Sequence, residues 1–579
     1  MSFAEDFRAS VDSGHVIRMH QLFPKGCGPS GVVSGGPIFL YKFRMRLNLR
    51  LPSWLLGAML FAAAYTQSPL FFSNQNQYFL HGMADAGVGH LSHDWLANTR
   101  DPTPLFSLIV QQAFRWNVPE AIFVCYALVM IGYVYSLVTI VDHFAWFPKS
   151  TYARWAFLCG TIFIHSAIAR WLSVQVAGVD YPWYFQCGVA GQYVLGAGLQ
   201  PSVFGVLLIA SIAAFVSNRQ ALALALLWMA CGMHTTYLLP CAMLILGYSF
   251  ANDRSGERRK AWVTLAVGLF GLAIVGTLAL SRFAPSDAVS FASGQKLLAE
   301  TRIPHHSIVN RWLDPIAGLQ CVVVLIGIAY TRGSRLFPVL CVAAICATIG
   351  TAFVAITGHP TAALMFPWRI SAVLVPLAVS IILARLISRW IIADSRSRIA
   401  IAGLVLVSIC LAISGIVLNC VGIGYAMNEA ERPVLEFVRS TSTANDVYLI
   451  PTRIPKLSGA RGSVSTTFTP PPRPKPGATL IPVDFQRFRL MTGTAIFVDF
   501  KSVPYADREV LEWHRRMKLC ENWYDGDLWN NPEAIADLIR EGITHAIVSR
   551  EQKRLPEQFP PIYEDEAFTV YRLELPRSR

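Results

Sequence analysis

Between Asn74 and Phe106 the chain reads NQNQYFLHGMADAGVGHLSHDWLANTRDPTPLF, with three carboxylates (Asp85, Asp94, Asp101), three histidines (His81, His90, His93) and one arginine (Arg100). Carboxylates and imidazoles grouped in this way do general acid–base work, taking a proton from a hydroxyl or amine as it attacks. Asn74, Gln77, His81 and Asp85 are three, four and four residues apart and so share one helical face, while Phe72, Phe79, Met83 and Ala86 line the other. That pattern predicts an amphipathic helix lying at a membrane interface, its polar face turned to water or to a ligand. His81 and Asp85 are spaced to pair at i, i+4. Gly87 and Gly89 then interrupt the helix, and Asp94-Trp95 starts the next segment. Asp94 reads as a helix N-cap or as a base. Asp101, before Pro102, reads as an Asx turn or as a base. Two carboxylates within eight residues, next to an interfacial Trp95, make this half of the stretch the candidate catalytic centre.

The elements that must hold these residues are membrane helices. Of 579 residues, 54% are apolar and 15% charged, against about 25% charged in a soluble domain. The net charge of +13 lies mostly in short clusters between apolar runs, where basic residues set membrane orientation; it does not point to nucleic acid. Twelve cysteines are scattered, with no CxxC or Cys/His spacing, so neither a metal site nor a disulfide framework nor a cofactor motif is expected.

About 20 apolar residues span a bilayer as a helix. Runs of this kind lie at 51–72, 118–140, 153–172, 201–217, 221–234, 236–250, 261–281, 315–331, 336–357, 368–388 and 399–420, giving about eleven expected spans. Reading 221–250 as a hairpin keeps Lys149, Arg219, Arg254, Arg258, Arg259, Lys260, Arg332, Arg335, Arg385, Arg389, Arg396 and Arg398 on one side, the cytoplasmic one. The amino end is then cytoplasmic, and 74–117, 173–200, 282–314, 358–367 and everything beyond 421 lie on the other face. Residues 1–50, polar, Gly-rich and basic towards their end, read as a disordered cytoplasmic tail, with Met45 a second candidate start.

From Glu429 the chain turns charged, with a Pro-rich linker at Thr469–Pro476. Strand-like runs at 447–450, 495–500, 546–549 and 569–573 alternate with helical patterns at 505–519 and 532–541. The expected fold is therefore an all-α polytopic domain (51–420) followed by a small extracytoplasmic α/β domain (421–579). No Gly-rich phosphate loop follows any strand.

An extracytoplasmic loop directly after the first span, carrying an amphipathic helix, Asp94-Trp95 and the Pro-bearing turn at Asp101, resembles the GT-C class of integral-membrane glycosyltransferases. Lipid A aminoarabinose transferases and protein O-mannosyltransferases are its members most similar in layout. The stretch VDFQRFRLMTGTAIFVDFKSVPYADREVLEW (483–513) resembles the tail of uncharacterised bacterial proteins with this arrangement. These families place an acidic residue straight after the first span, where this chain has Asn74-Gln75-Asn76-Gln77.

The resemblance implies a bacterial inner-membrane enzyme that moves a sugar from a polyprenyl-phosphate carrier to a lipid, glycan or protein acceptor with inversion. Asp94 is then the expected base and Asp101 the second choice. Arg100, Arg302, His305, His306, Arg311 and Arg369 are the candidates to bind the phosphate, with His81, Asp85 and Asp180 as further substrate contacts. Arg369, at the start of a span, either snorkels or has a task. His305-His306 read as a surface loop sooner than as metal ligands, and the aromatics around Asp180 fit an interfacial belt as well as sugar stacking. The rival classes are a transporter or flippase, a lipid-linked-glycan binder without turnover, and an acyltransferase built on His165 or His234.

Overall fold

A computed structural model describes residues 52–391, 398–425, 428–454, 485–526, 528, 531–550 and 554–574. The basic tail 1–50 and the linker Thr469–Pro476 lie outside these residues. All eleven apolar runs form helices, as they must where lipid offers the backbone no partner. Among the described residues five are long and apolar enough to cross a membrane: Ala121–Asp142, Arg258–Arg282, Leu336–Thr357, Pro360–Trp390 (with its lead-in turn) and Arg398–Cys420. The pair Thr151–His165 and Ala167–Ala177, bent by 53°, makes a sixth if it is one span. Its bend falls at Ser166, which is extended and caps the second helix by accepting the Ala169 N–H at 3.2 Å. By length and composition, then, five or six spans stand where eleven were expected. The shortfall has a local cause: run 51–72, for example, is helical only over Ser53–Tyr65 because Thr66 adopts φ 67°.

The hairpin reading of 221–250 agrees with the structure. Gln220–Met233 and Leu238–Arg254 are separated by an extended His234. Lys260 Nζ donates to Asn218 Oδ1 at 2.8 Å, and Arg335 reaches both Asn218 (3.2 Å) and Asn252 (2.8 Å). The turns at 217–219, 255–260 and 331–335 therefore share one end of the bundle, and the basic residues cluster there. Apolar side chains such as Trp262 and Phe270 remain exposed on Arg258–Arg282, the surface expected of a lipid-facing helix.

The carboxyl-terminal part is a five-stranded mixed sheet: β1 (Val447–Leu449), β2 (Ala495–Ile496), β3 (His545–Ser549), β4 (Pro561–Glu564) and β5 (Phe568–Arg572), in the order β2-β1-β3-β5-β4. β1 runs parallel to β2 and β3, while β5 is antiparallel to β3 and β4. Strand β4 escaped the sequence reading because it is an exposed edge strand that begins with Pro561 and lacks a buried face. Helix Asp507–Asp525 buries Val510, Trp513, Met517 and Cys520, spaced three, four and three apart, against Phe497, Phe500 and Ile535. Residues Leu51–Arg579 form a single unit, so helices and sheet share an interface.

Candidate functional site

Asp94 sits on that interface and is fully buried. Its Oδ1 accepts the N–H groups of Leu96 (2.8 Å) and Ala97 (3.3 Å), capping the turn Leu96–Asn98. Its Oδ2 accepts from Arg489 Nε (2.8 Å) and from the Ile496 N–H (3.0 Å), both in the carboxyl-terminal domain. Arg489 also holds Asp499, Nη1 to Oδ2 at 2.7 Å. Burial works against the Arg489 charge, but the two carboxylates outweigh it and keep the guanidinium firmly protonated. Four donors saturate the Asp94 carboxylate, so it has no free lone pair directed at a substrate. Beside it the backbones of Gly89 and Gly493 touch: His90 N–H donates to Gly493 O at 2.6 Å, and a Cβ on Gly89 would lie 2.5 Å from that oxygen. Trp95 lies under Arg516, whose guanidinium carbon is 4.4 Å from the ring centroid. The expected interfacial anchor is thus an interdomain contact.

The rest of the first loop departs from the expected amphipathic helix. It forms two short helices, Gln75–Tyr78 and Leu80–Asp85, and the first buries its amides instead of exposing them. Asn74 donates to Tyr193 Oη (3.2 Å), Gln75 to Leu199 O (3.3 Å), and Gln77 to Val503 O (3.3 Å) and Tyr505 Oη (2.8 Å). His81 does not pair with Asp85. Its Nδ1 lies 4.0 Å from Asp101, and its Nε2 lies 3.2 Å from Thr99 O. Asp101 accepts the Thr103 N–H at 2.8 Å, the Asx turn foreseen as the alternative to a base. Asp85 is exposed at a helix end. Arg100 is exposed too, with its N–H on Glu509 at 3.1 Å and its guanidinium on the Arg282 carbonyl.

Asp180 is a structural residue as well. It forms a buried pair with Arg170 at 2.8 Å and caps Trp183 at 3.1 Å, with Arg170 packed over the Trp183 ring. His165 is bound to Tyr133 Oη (3.1 Å) and Thr161 O (2.9 Å).

The remaining candidates come together. Arg369 belongs to the turn Pro367–Ile370, is 7% exposed, donates from Nη1 to Gln192 Oε1 at 2.6 Å, and lies 4.9 Å over Tyr237. It faces the protein and does not snorkel. Arg302, 6% exposed, ends the turn Leu298–Arg302; its guanidinium donates to the Lys501 carbonyl and lies 5.1 Å over Phe500. His305 and His306 follow on Pro304–Ser307, half-buried, with His306 Nδ1 2.6 Å from Ala190 O. They are not a surface loop. Tyr78 ties the group to the first loop, its hydroxyl 3.5 Å from Tyr505 Oη and its ring 6.0 Å from His234.

Electrostatically the cluster is one-sided. Burial lowers the basicity of Arg302, holds His306 down to about 4 and pushes His305 well below the usual imidazole range, with neighbouring cations adding to both histidines. Burial and then Arg302 pull the Lys501 amine down to about 7. The carboxylate that acts on Arg302 and Lys501 is Asp499, already committed to Arg489.

Buried polar atoms here also lack partners, four of them N–H donors. Of 17 buried side-chain nitrogens and oxygens without a hydrogen-bond partner among the described residues, six belong to this region: Arg302 Nε, Arg369 Nε, Trp312 Nε1, Trp368 Nε1 and the Nδ1 atoms of His234 and His305. The Trp312 and Trp368 rings are 4.9 Å apart. Buried donors without partners are costly unless something supplies acceptors. Two buried arginines, a lysine and orphan N–H groups are what a phosphate oxygen cluster would satisfy. The described residues hold no group of three or more His, Cys, Asp or Glu side chains placed to bind a metal.

Arg302, His305, His306 and Arg369 were readable as polar residues in loops and at a span end between apolar runs. Lys501, Gln192, Tyr78 and Tyr505 were not singled out. Lys501 follows a strand-like run in an otherwise ordinary soluble segment, and no local pattern marks it.

Residues 474–520 match a family model described as a domain of unknown function, DUF6798. The match covers Arg489, Ile496, Asp499, Lys501 and Tyr505, so both the interdomain ion pair and the domain's share of the cationic cluster fall within it. No curated protein matches the chain. The chain is a multi-pass membrane protein with a DUF6798 carboxyl-terminal region.

Proposed function

We propose that this protein recognises a polyprenyl-phosphate-linked sugar through its phosphate and transfers the sugar to an extracytoplasmic lipid, glycan or protein acceptor. One observation carries the reading: Arg302 and Arg369, both over nine-tenths buried, have unpartnered Nε atoms beside Lys501 and two uncharged histidines. Charge-assisted bonds from arginine suit a phosphate oxygen, and they strengthen as negative charge develops on a leaving phosphate. The many apolar helices and the small carboxyl-terminal sheet are compatible with it, and the reading further takes the layout as GT-C-like, the membrane as a bacterial inner membrane, the amino end as cytoplasmic, and the cluster and carboxyl-terminal domain as lying on the opposite face.

In the transfer, the acceptor O–H or N–H loses its proton to a carboxylate while its lone pair attacks the anomeric carbon. The anomeric C–O bond breaks with inversion, and its electron pair leaves on the phosphate monoester. Asp101, paired loosely with His81 one helical turn beyond Gln77, retains access for the role of base. Asp94 does not.

A second reading, recognition of the lipid-linked sugar without turnover, is favoured by the saturation of Asp94. An assay with a panel of polyprenyl-phosphate sugars separates the two. Transfer that is lost in Arg369→Gln and Asp101→Asn supports the enzyme. Binding without transfer for every donor supports the second reading, and binding unaffected by Arg302→Gln and Arg369→Gln removes both.

A further inference from the structure

Arg302 belongs to the membrane domain, yet the carboxyl-terminal domain holds it in place. Its guanidinium is bonded to the Lys501 carbonyl and lies on the Phe500 ring, both in the stretch just after β2. The Lys501 side chain leaves from the same point, half-buried. Among the described residues its amine makes no hydrogen bond and no ion pair. The nearby Asp499 acts on it only through space, its oxygens accepting instead from Arg489 and from the Ser502 N–H at 2.5 Å.

The strip that carries Lys501 is fastened on both sides. Gln77 grips Val503 and Tyr505 from the first loop. Asp507 accepts the N–H (2.7 Å) and hydroxyl (2.8 Å) of Ser286 in the loop that leads to Arg302. A cation beside a buried arginine, whose one nearby carboxylate is shared with Arg302 and bonded to Arg489, opposes folding through like-charge repulsion unless an anion relieves it.

We infer that the carboxyl-terminal domain is a working part of the anion site, its Phe500–Lys501 turn fixing Arg302 and its Lys501 amine serving as a third cation on the bound phosphate. This rests on the phosphate reading of the Arg302–Arg369 cluster. It assigns a task to the DUF6798 segment: it builds one wall of the site and does not merely cover it.

The test is equilibrium binding of a long-chain polyprenyl monophosphate to the full chain in lipid nanodiscs, with inorganic phosphate as a parallel probe. Lys501→Met is expected to weaken the lipid probe about tenfold or more, the loss typical of one charge-assisted bond, while Lys501→Arg retains most of the affinity. Phe500→Leu, which withdraws the ring beneath Arg302 without changing charge, is expected to weaken binding to a smaller extent. Arg369→Gln serves as the control for the site itself. Weakening in Arg369→Gln with wild-type affinity in both Lys501→Met and Phe500→Leu overturns the inference and leaves the phosphate reading standing. No loss in any of the three overturns both. Binding of inorganic phosphate alone, still weakened by Lys501→Met, supports the inference and overturns the lipid-linked reading.

Discussion

Arg489 donates to Asp94 across 395 residues of sequence, Nε to Oδ2 at 2.8 Å, and the same guanidinium binds Asp499 at 2.7 Å. Arg489 thereby joins the first loop to the strip after β2, and Asp94 adds the strand edge by accepting the Ile496 N–H at 3.0 Å. The carboxylate with the best catalytic credentials in the sequence is spent on holding two domains together. The phosphate-compatible chemistry lies a short way along the same interface, at Arg302, Arg369 and Lys501.

Removing Arg489 should therefore do more harm than removing either carboxylate. Arg489→Met leaves Asp94 and Asp499 buried without compensation, a loss of about 3–5 kcal/mol. Asp94→Asn keeps an acceptor for the Leu96 cap and should cost less. The expected readout is a lower thermal midpoint in detergent together with faster proteolytic release of the carboxyl-terminal domain in Arg489→Met. Equal resistance in wild type and Arg489→Met would show that the pair does not hold the domain.

Gln77 closes the amide run Asn74–Gln77 and works as a donor to Val503 O and Tyr505 Oη. Gln77→Glu removes both donated bonds and sets a carboxylate against a carbonyl oxygen, a cost of about 1–3 kcal/mol. An acid at this position is thus expected to loosen the domain and to leave any sugar transfer no higher than in wild type. A rise in transfer for Gln77→Glu would count against the role of this amide as a fastener.

Burial holds His306 at about 4, below the ordinary imidazole value of about 6.5. Between those two values the unfolded chain takes up a proton that the folded chain refuses. The stability this neutral ring contributes is present above the unfolded pKa and is lost as pH falls towards 4, at no more than about 1.4 kcal/mol per pH unit. His305, pushed down by burial and by His306, adds in the same direction. A His306→Gln variant should show a shallower fall in thermal midpoint over this window than wild type. Identical acid profiles would place the proton uptake elsewhere.

Much of the architecture was legible without coordinates. The apolar runs became helices, the basic turns at 217–219, 255–260 and 331–335 gathered at one end, and four of the five strands fell where β-branched and aromatic residues cluster. Such features depend on composition and on neighbours within a few residues, which the sequence carries directly. Helix length was less legible. A single backbone event, such as the φ of 67° at Thr66 or the extended Ser166, ends a helix inside an unbroken apolar run.

The roles of the polar residues were decided by tertiary structure alone. From sequence, Asp94 was the first choice as base and Asp101 the second, each with a cap or turn as its alternative. Arg489, arriving from the far domain, turned the first into an ion-pair partner, while the second kept an Asx turn and a distant imidazole. The cationic cluster takes one residue from the loop at 302, one from the turn at 369 and one from the strip at 501. None of these is near another in sequence, so no spacing announces them. An excess of positive charge becomes visible only when the chain has closed and its neighbours can be counted.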